Sequence, residues 1–481
     1  MFKRFLFIFS ILLLASRFAF AEIATENLTI AGYFKNETSL GLRTFSGVSK
    51  FKNIFQVSGE YKFNEYFTSF VTGKYWYDSV YGWYDKYDPA QYYMQHIQRT
   101  DWLRDCYLDY TNGPWFLRLG KQQVSWGQAD GVPILDKVNP VDFTEISLPD
   151  AVDLRIPLWM ANINYSPKVN SNLQFLFIPD FEQSTAAPPG APFAFRSYKI
   201  FMDSKEGIEA LPGAPNKIPF GPLGTNYFGT LNTNIYYPAK QFENSKFGVQ
   251  WSDRISDWDY TLNYLYGFDY LARTYLDSTQ LTFFPTRTAV LNYSRRFKID
   301  QMVGGSLNHT FTENGILKGI TLRSDAAVYI NEPTYYGNPA TGKSEGVNRW
   351  NNVFWLMGLD KSVFTNWLVS FQFAQYIMEH DNPGVSNYQT LNSSTNGAQD
   401  AVENIFSLKI STDFMNERVK PEIMWGFTDD NQGKLSPKVT YEVNDNLWLT
   451  VGIHYFYGDK KDSNGQYRDV SQFYTQVKYT F

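Results

Sequence analysis

Several residue patterns are scarce or absent in this chain, and each absence closes a class of function. Cysteine occurs once, at Cys106, in 481 residues, so no intrachain disulfide framework can form. Histidine occurs four times, at His96, His309, His380 and His454. The four lie in separate segments, without HExxH or CxxC spacing, and no built-in metal site is expected. There is no GxSxG elbow and no phosphate-cradling glycine loop, so neither a catalytic constellation nor a cofactor is expected, and the chain does not read as an enzyme. A formal net charge of −5 argues against a nucleic-acid partner. Beyond the N-terminus no run reaches eighteen consecutive apolar residues, which excludes a helical membrane span. Helical periodicity is rare throughout.

The N-terminus has the layout of a secretory signal. Lys3 and Arg4 precede an apolar run from Phe5 to Ala15, and Ala19-Phe20-Ala21 offers small residues at the two positions a signal peptidase reads. Cleavage is expected after Ala21, giving a signal peptide over 1–21 and one domain over 22–481. The run is shorter than the ~20 residues of a spanning helix. Residue 22 is Glu, so no lipid attachment is expected there.

Aromatic residues make up 18% of the chain although mean hydropathy is −0.36. A transmembrane barrel produces this mixture, because lipid-facing apolar residues alternate with lumen-facing polar ones. Period-two alternation recurs from end to end. In 258–267, Trp258, Tyr260, Leu262, Tyr264 and Tyr266 share one face and Asp259, Thr261 and Asn263 the other. Candidate strands fall near 28–44, 50–63, 66–78, 101–111, 115–126, 158–166, 172–180, 244–253, 257–268, 286–298, 300–312, 318–330, 350–361, 366–377, 403–412, 417–428, 434–444, 446–457 and 469–481. That count is odd, whereas single-chain bacterial barrels have an even number. The weakest break is 298–301, without Gly, Pro or a turn pair. Merging 286–312 into one strand gives eighteen. With that merge the long connections (79–100, 127–157, 181–243, 269–285, 331–349, 378–402, 458–468) all fall on the extracellular side, and the short turns on the periplasmic side. The fold class is therefore all-β: a closed antiparallel transmembrane β-barrel of about eighteen strands, sixteen being the nearest alternative. The Pro- and Gly-rich stretch 186–224 reads as a large surface loop. The aromatics of 79–99, Tyr81, Trp83, Tyr84, Tyr87, Tyr92 and Tyr93, suit a girdle or loop packing, or else stacking on a ligand.

The last strand ends in Phe481, with Val477 and Tyr479 on the same outward face. A terminal aromatic on an alternating strand resembles an outer-membrane assembly signal, and pairing with the first strand would remove both sheet edges. Alternation turns charges of both signs inward, among them Lys35, Glu37, Glu60, Lys62, Asp105, Asp109, Arg118, Arg323, Asp325, Lys409, Lys420, Glu422, Lys438, Glu442 and Lys478. They hydrate the lumen by cross-strand pairing, as Asp105, Asp109 and Arg118 on adjacent strands would, or set a transverse field that selects solutes.

The longest acidic excursion interrupts two good strands at 127–157. It carries Asp130, Asp136, Asp142, Glu145, Asp150 and Asp153 against Lys137 and Arg155. It joins the fifth expected strand to the sixth, where general porins carry an inward-folded constriction loop. Asn139-Pro140-Val141-Asp142 is a turn followed by an N-cap residue, so a short helix is expected after it. The six acids opposite Arg118, Arg323, Lys420 and Lys438 would form a filter. The alternatives are a lid folded outward or an ordered surface loop. EF-hand spacing is absent.

Gly120-Lys121-Gln122, Trp126-Gly127, Asn139-Pro140-Val141-Asp142 and Arg155-Ile156-Pro157 resemble the core block of the domain-of-unknown-function 1302 family of Gram-negative outer-membrane proteins. Ala31 to Thr38 is similar to that family's opening strand. The likeness covers the first third of the chain. It implies an outer-membrane transport barrel and names no substrate.

The function expected is passive diffusion of small solutes through an outer-membrane, porin-like channel narrowed by 127–157. The alternatives are a conduit for lipids or hydrophobic compounds coupled to an inner-membrane system, and a non-conducting structural barrel or cytochrome sheath. Expected partners are the lipid bilayer with lipopolysaccharide, the barrel-assembly machinery and the solutes. Oligomeric state is open between monomer and trimer.

Overall fold

The structure is a computed structural model that describes residues 23–43, 47–87, 90–91, 93–94, 102–129, 131–188, 190–194, 216–220, 225–282, 288–313, 315–338, 343–378, 402–459 and 463–481. The expected signal peptide, Asp130, Tyr92, His96, His380 and nearly all of connection 378–402 lie outside the described residues.

Eighteen antiparallel strands close into a barrel: β1 (Leu28–Gly41), β2 (Val48–Lys62), β3 (Phe67–Asp78), β4 (Leu103–Asn112), β5 (Trp115–Gln122), β6 (Leu158–Lys168), β7 (Ser171–Ile178), β8 (Lys246–Ile255), β9 (Trp258–Phe268), β10 (Ile299–Thr310), β11 (Ile320–Asn338), β12 (Lys343–Val363), β13 (Trp367–Met378), β14 (Val402–Ser411), β15 (Val419–Thr428), β16 (Gly433–Asn444), β17 (Leu447–Tyr457) and β18 (Gln472–Thr480). Each strand pairs with its sequence neighbours. β1 closes on β18 from Tyr33↔Thr480 to Gly41↔Gln472. Ile23–Ala24 pairs with Thr29 and Ile30 of β1, just past the reach of β18.

The alternation seen in the sequence is the physical cause. Phe55, Val71, Leu119, Phe175, Leu262 and Phe371 stand exposed on the outer face, while their polar neighbours face inward. Short turns join the strands at one end. The Asn64 side chain accepts the amides of Tyr66 (2.9 Å) and Phe67 (3.0 Å), and Asn444 accepts those of Asn446 (3.0 Å) and Leu447 (2.9 Å). The long connections all emerge at the other end, as the parity of the strands requires.

The strand count agrees with the sequence reading, but its derivation does not. Residues 286–298 are not part of a merged barrel strand. Thr288–Arg296 pairs with Thr225–Tyr236 and Arg273–Thr282, and Asn216–Phe220 completes a separate four-stranded sheet. Alternation marks a strand without saying which sheet takes it. The same sheet gives regular structure to part of what reads as a surface loop over 186–224. The expected connection 331–349 is mostly strand, because β11 and β12 run on beyond the barrel as a hairpin.

Two apolar clusters occupy the long-connection half. In one, Val124, Trp126, Ile134, Leu135 and Val138 of connection 123–157 pack on inward residues of β6 to β13, including Leu158, Met160, Leu265, Met302 and Leu356. In the other, Val80, Tyr81, Tyr87, Ala187 and Phe193 from two further connections meet Phe456 and Tyr467. Tyr81 and Tyr87 are thus buried in loop packing rather than set in a girdle. Trp83 stays exposed, its ring 5.2 Å from that of Phe51.

Candidate functional site

The connection begins earlier than the sequence suggests, because β5 stops at Gln122. Its two ends are stitched together by the residues of the sequence block noted above. Asn139 accepts the Val124 amide (2.8 Å) and donates to the carbonyls of Gln122 (3.3 Å) and Ile156 (3.0 Å). The Ile156 amide donates to the Pro140 carbonyl at 2.8 Å. Gln122 is fully buried and donates to the Met160 carbonyl (3.1 Å), and the Trp126 indole donates to Gln174 (2.8 Å). Arg155 joins Asp136 (2.7 Å) to the Ser125 hydroxyl (2.7 Å). Gly127 has φ +93°, and a Cβ there would lie 2.8 Å from the Asp325 carboxylate. Only glycine lets the chain pass so close, and the next two amides, of Gln128 and Ala129, donate to Asp325 at 2.8 and 2.9 Å.

No helix follows Asp142. Its carboxylate instead accepts from the Thr144 amide (2.9 Å) and hydroxyl (2.7 Å) and from the Thr185 hydroxyl (2.8 Å), and Asp142–Phe143 pairs with Thr185–Ala186. The segment's helix is Ala151–Leu154, with Asp150 at its N-cap.

The acids meet a different set of cations from the expected one. Glu145 pairs with Lys50 and with Lys52 (2.9 Å) of β2, and Lys50 also reaches Glu37 of β1 (3.2 Å). Asp153 pairs with Lys74 of β3 and Lys35 of β1 (3.6 Å). Arg104 of β4 donates to the Val152 carbonyl and to that of Arg155 (3.2 Å). Burial pushes the Glu145 carboxyl up, but Lys50 and Lys52 outweigh it and hold the group below the usual carboxylate range. Asp153 is likewise raised by burial and lowered further by Lys74 and Lys35, settling at about 2. Asp150 remains exposed, without a side-chain cap bond.

The wall residues expected to oppose these acids are engaged elsewhere. Arg118 grips Asp109 with two bonds (2.7 and 2.8 Å), while Asp105 is not part of that pair. Arg323 pairs with Asp360 (2.6 Å) and donates to the Gln128 carbonyl (2.7 Å). Lys438 (3.1 Å) and Lys409 (3.7 Å) share Glu422, and Lys420 sits over the Trp448 ring at 5.4 Å. Among the described residues, Arg323 and Asp325 are the members of this group that hydrogen-bond to the connection.

Lys50, Lys52, Lys74 and Arg104 were missing from the sequence reading. The first three were within reach, since the parity that turns Glu60 and Lys62 inward on β2 also turns Lys50 and Lys52 inward, and Lys74 has the parity opposite to the exposed Val71 and Tyr75 of β3. Arg104 was not. The β3–β4 register shifts between Thr72 and Gly73, opposite Arg104, and such a bulge re-aims a side chain against simple alternation.

At the closure seam, Phe481 exchanges backbone bonds with Gly32 (2.8 and 3.0 Å), and its ring lies 6.3 Å from that of Phe55. Val477 and Tyr479 pair with Asn36 and Phe34 of β1.

Closed barrel, strand number and end asymmetry together define a porin-like β-barrel. Solved structures share the fold: Pseudomonas aeruginosa OccK3 (OpdO) at TM-score 0.50 and 8% identity, over 95% of this chain and 96% of that one. Pseudomonas aeruginosa OccK11 (OpdR) gives 0.49 and 9%, over 96% and 99%. Acinetobacter baumannii OccAB3 gives 0.48 and 10%, over 95% and 100%. No curated protein matches the chain. The chain belongs to the family described as "Protein of unknown function (DUF1302)", whose model matches residues 19–481. The likeness therefore extends well past the first third.

Proposed function

We propose that this protein is a passive, porin-like channel of the Gram-negative outer membrane for small hydrophilic or amphipathic solutes, with its lumen narrowed by connection 123–157. The observation that carries this reading is the span of that connection's contacts. Ion pairs of Glu145 and Asp153 hold it to β1, β2 and β3, and amide bonds to Asp325 hold it to β11. Lys434 of β16 adds a bond to the Ser147 carbonyl at 3.3 Å. A segment tied to strands so far apart in barrel order has to cross the space they enclose.

The crossing divides the work between two kinds of attachment. An apolar clasp of Trp126, Ile134 and Leu135 fixes one side, and buried ion pairs fix the other. Such a crosspiece fixes the width of the passage and restricts diffusion by size. The test is planar-bilayer recording with the purified protein. Stepwise ion currents are expected, and a barrel that inserts without passing current overturns the reading.

A further inference from the structure

In the acidic segment, the charges the sequence offers as a filter are largely spent on attachment. Asp136, Glu145 and Asp153 are each ion-paired, and Asp142 is bound to threonine hydroxyls and an amide. The side chains in the Glu145 and Asp153 pairs retain only 10–19% exposure. They contribute little field to a passing ion.

The wetter wall lies on the inward face of β14 to β18 and carries the opposite sign. Lys409 and Lys438 share the single carboxylate of Glu422 and keep 34% and 35% side-chain exposure. Lys420 faces the Trp448 ring and Lys478 the Tyr33 ring (4.7 Å), and among the described residues neither has a carboxylate within ion-pair distance. Glu403 of β14 and Glu442 of β16 are the other acids on this face, and Lys434 of β16 is turned to the Ser147 carbonyl. Five lysines thus stand against three glutamates. Their inward orientation follows from the alternation, because Ile423, Trp425, Val439, Tyr441, Leu449 and Val451 are exposed on the outer face of the same strands.

Resting on the channel reading above, we infer that the passage selects small anions, inorganic or bearing a carboxylate, which are drawn along the lysine wall of β14–β18. Positive side chains beside a narrow aqueous path lower the energy of an anion and raise that of a cation of equal size.

The test is the reversal potential of the full-length protein in a planar bilayer under a potassium chloride gradient. The expected sign is that set by chloride, and it should persist when acetate replaces chloride. In the K420E/K438E variant the potential should shift toward the potassium value. A wild-type potential of potassium sign overturns the inference while leaving the channel intact, and so does a potential unmoved in a variant that still conducts. Absence of any current removes the channel reading and this inference with it. The wild-type measurement decides the sign even if the variant does not fold.

Discussion

At the scale of single residues, the block that resembles the family's core is the skeleton of one connection. Asn139 ties its start to its end, Trp126 plugs it into β7, and Gly127 lets two amides reach Asp325. Gly127→Val should therefore cost about 1–3 kcal/mol from the left-handed backbone alone, with added loss as Asp325 is pushed away. The measurement is the urea midpoint of the protein in liposomes, and an unchanged midpoint would contradict the assignment. Glu145 is the second such point. Glu145→Gln leaves Lys50 and Lys52 buried without their shared counter-charge, a situation that typically costs roughly 3–5 kcal/mol. The expected result is a noisier and larger single-channel current, because the freed crosspiece fluctuates.

At the scale of elements, two predictions concern the attachment and the seam. The Asp153 carboxyl sits at about 2 against an ordinary 3.8. A depressed carboxylate contributes stability that is fully present above the ordinary value and is lost as pH falls toward the depressed one. Docking of 123–157 should thus be constant from about pH 7 to about pH 5 and weaken, on the acid side, only below about pH 4. Amide hydrogen exchange of the connection across this range is the check; loosening near neutrality would contradict it. At the seam, a Cβ on Gly32 would lie 2.4 Å from the Gln56 carbonyl oxygen and 2.7 Å from the Phe481 ring. Gly32→Val should sharply lower the fraction of closed barrel, read as loss of the heat-modifiable electrophoretic band, while Val57→Leu on the neighbouring strand should not.

Elements also show what a sequence can and cannot disclose. The strands were legible because lipid outside and water inside impose a period of two on every one of them. The long acidic excursion stood out for the same reason, as a departure from that rhythm. Residues 288–296 were misassigned because their alternation is equally good, and only pairing partners separate a barrel strand from a loop strand. Arg104 was hidden by a bulge. The six acids read as a filter opposite Arg118, Arg323, Lys420 and Lys438, but the partners of Glu145 and Asp153 were not legible, since pairing between a connection and the wall joins positions such as Lys50 and Glu145 that no local spacing connects. The apolar clasp was invisible as well. Inward Leu158, Met160 and Leu356 look like lipid-facing residues until the connection is seen packed on them.

At the scale of the molecule, the proposed function makes the barrel a frame that holds one segment across its interior. Closure of β1 on β18 leaves no free edge, so the frame needs no partner to satisfy its backbone. Tyr81, Tyr87, Phe193 and Tyr467 of other connections form a second small core, and Ile146 and Leu148 of 123–157 pack against it. On this account the width of the path is set by 123–157 and its sign by the lysines of β14–β18. The most direct measurement is the single-channel conductance of a variant lacking residues 130–152, compared with the intact protein in the same bilayer. That deletion removes Ile134, Leu135, Glu145 and the Asp150 cap while leaving all eighteen strands. A larger conductance is the predicted result, and a variant that folds and conducts with the conductance of the intact protein would contradict the account.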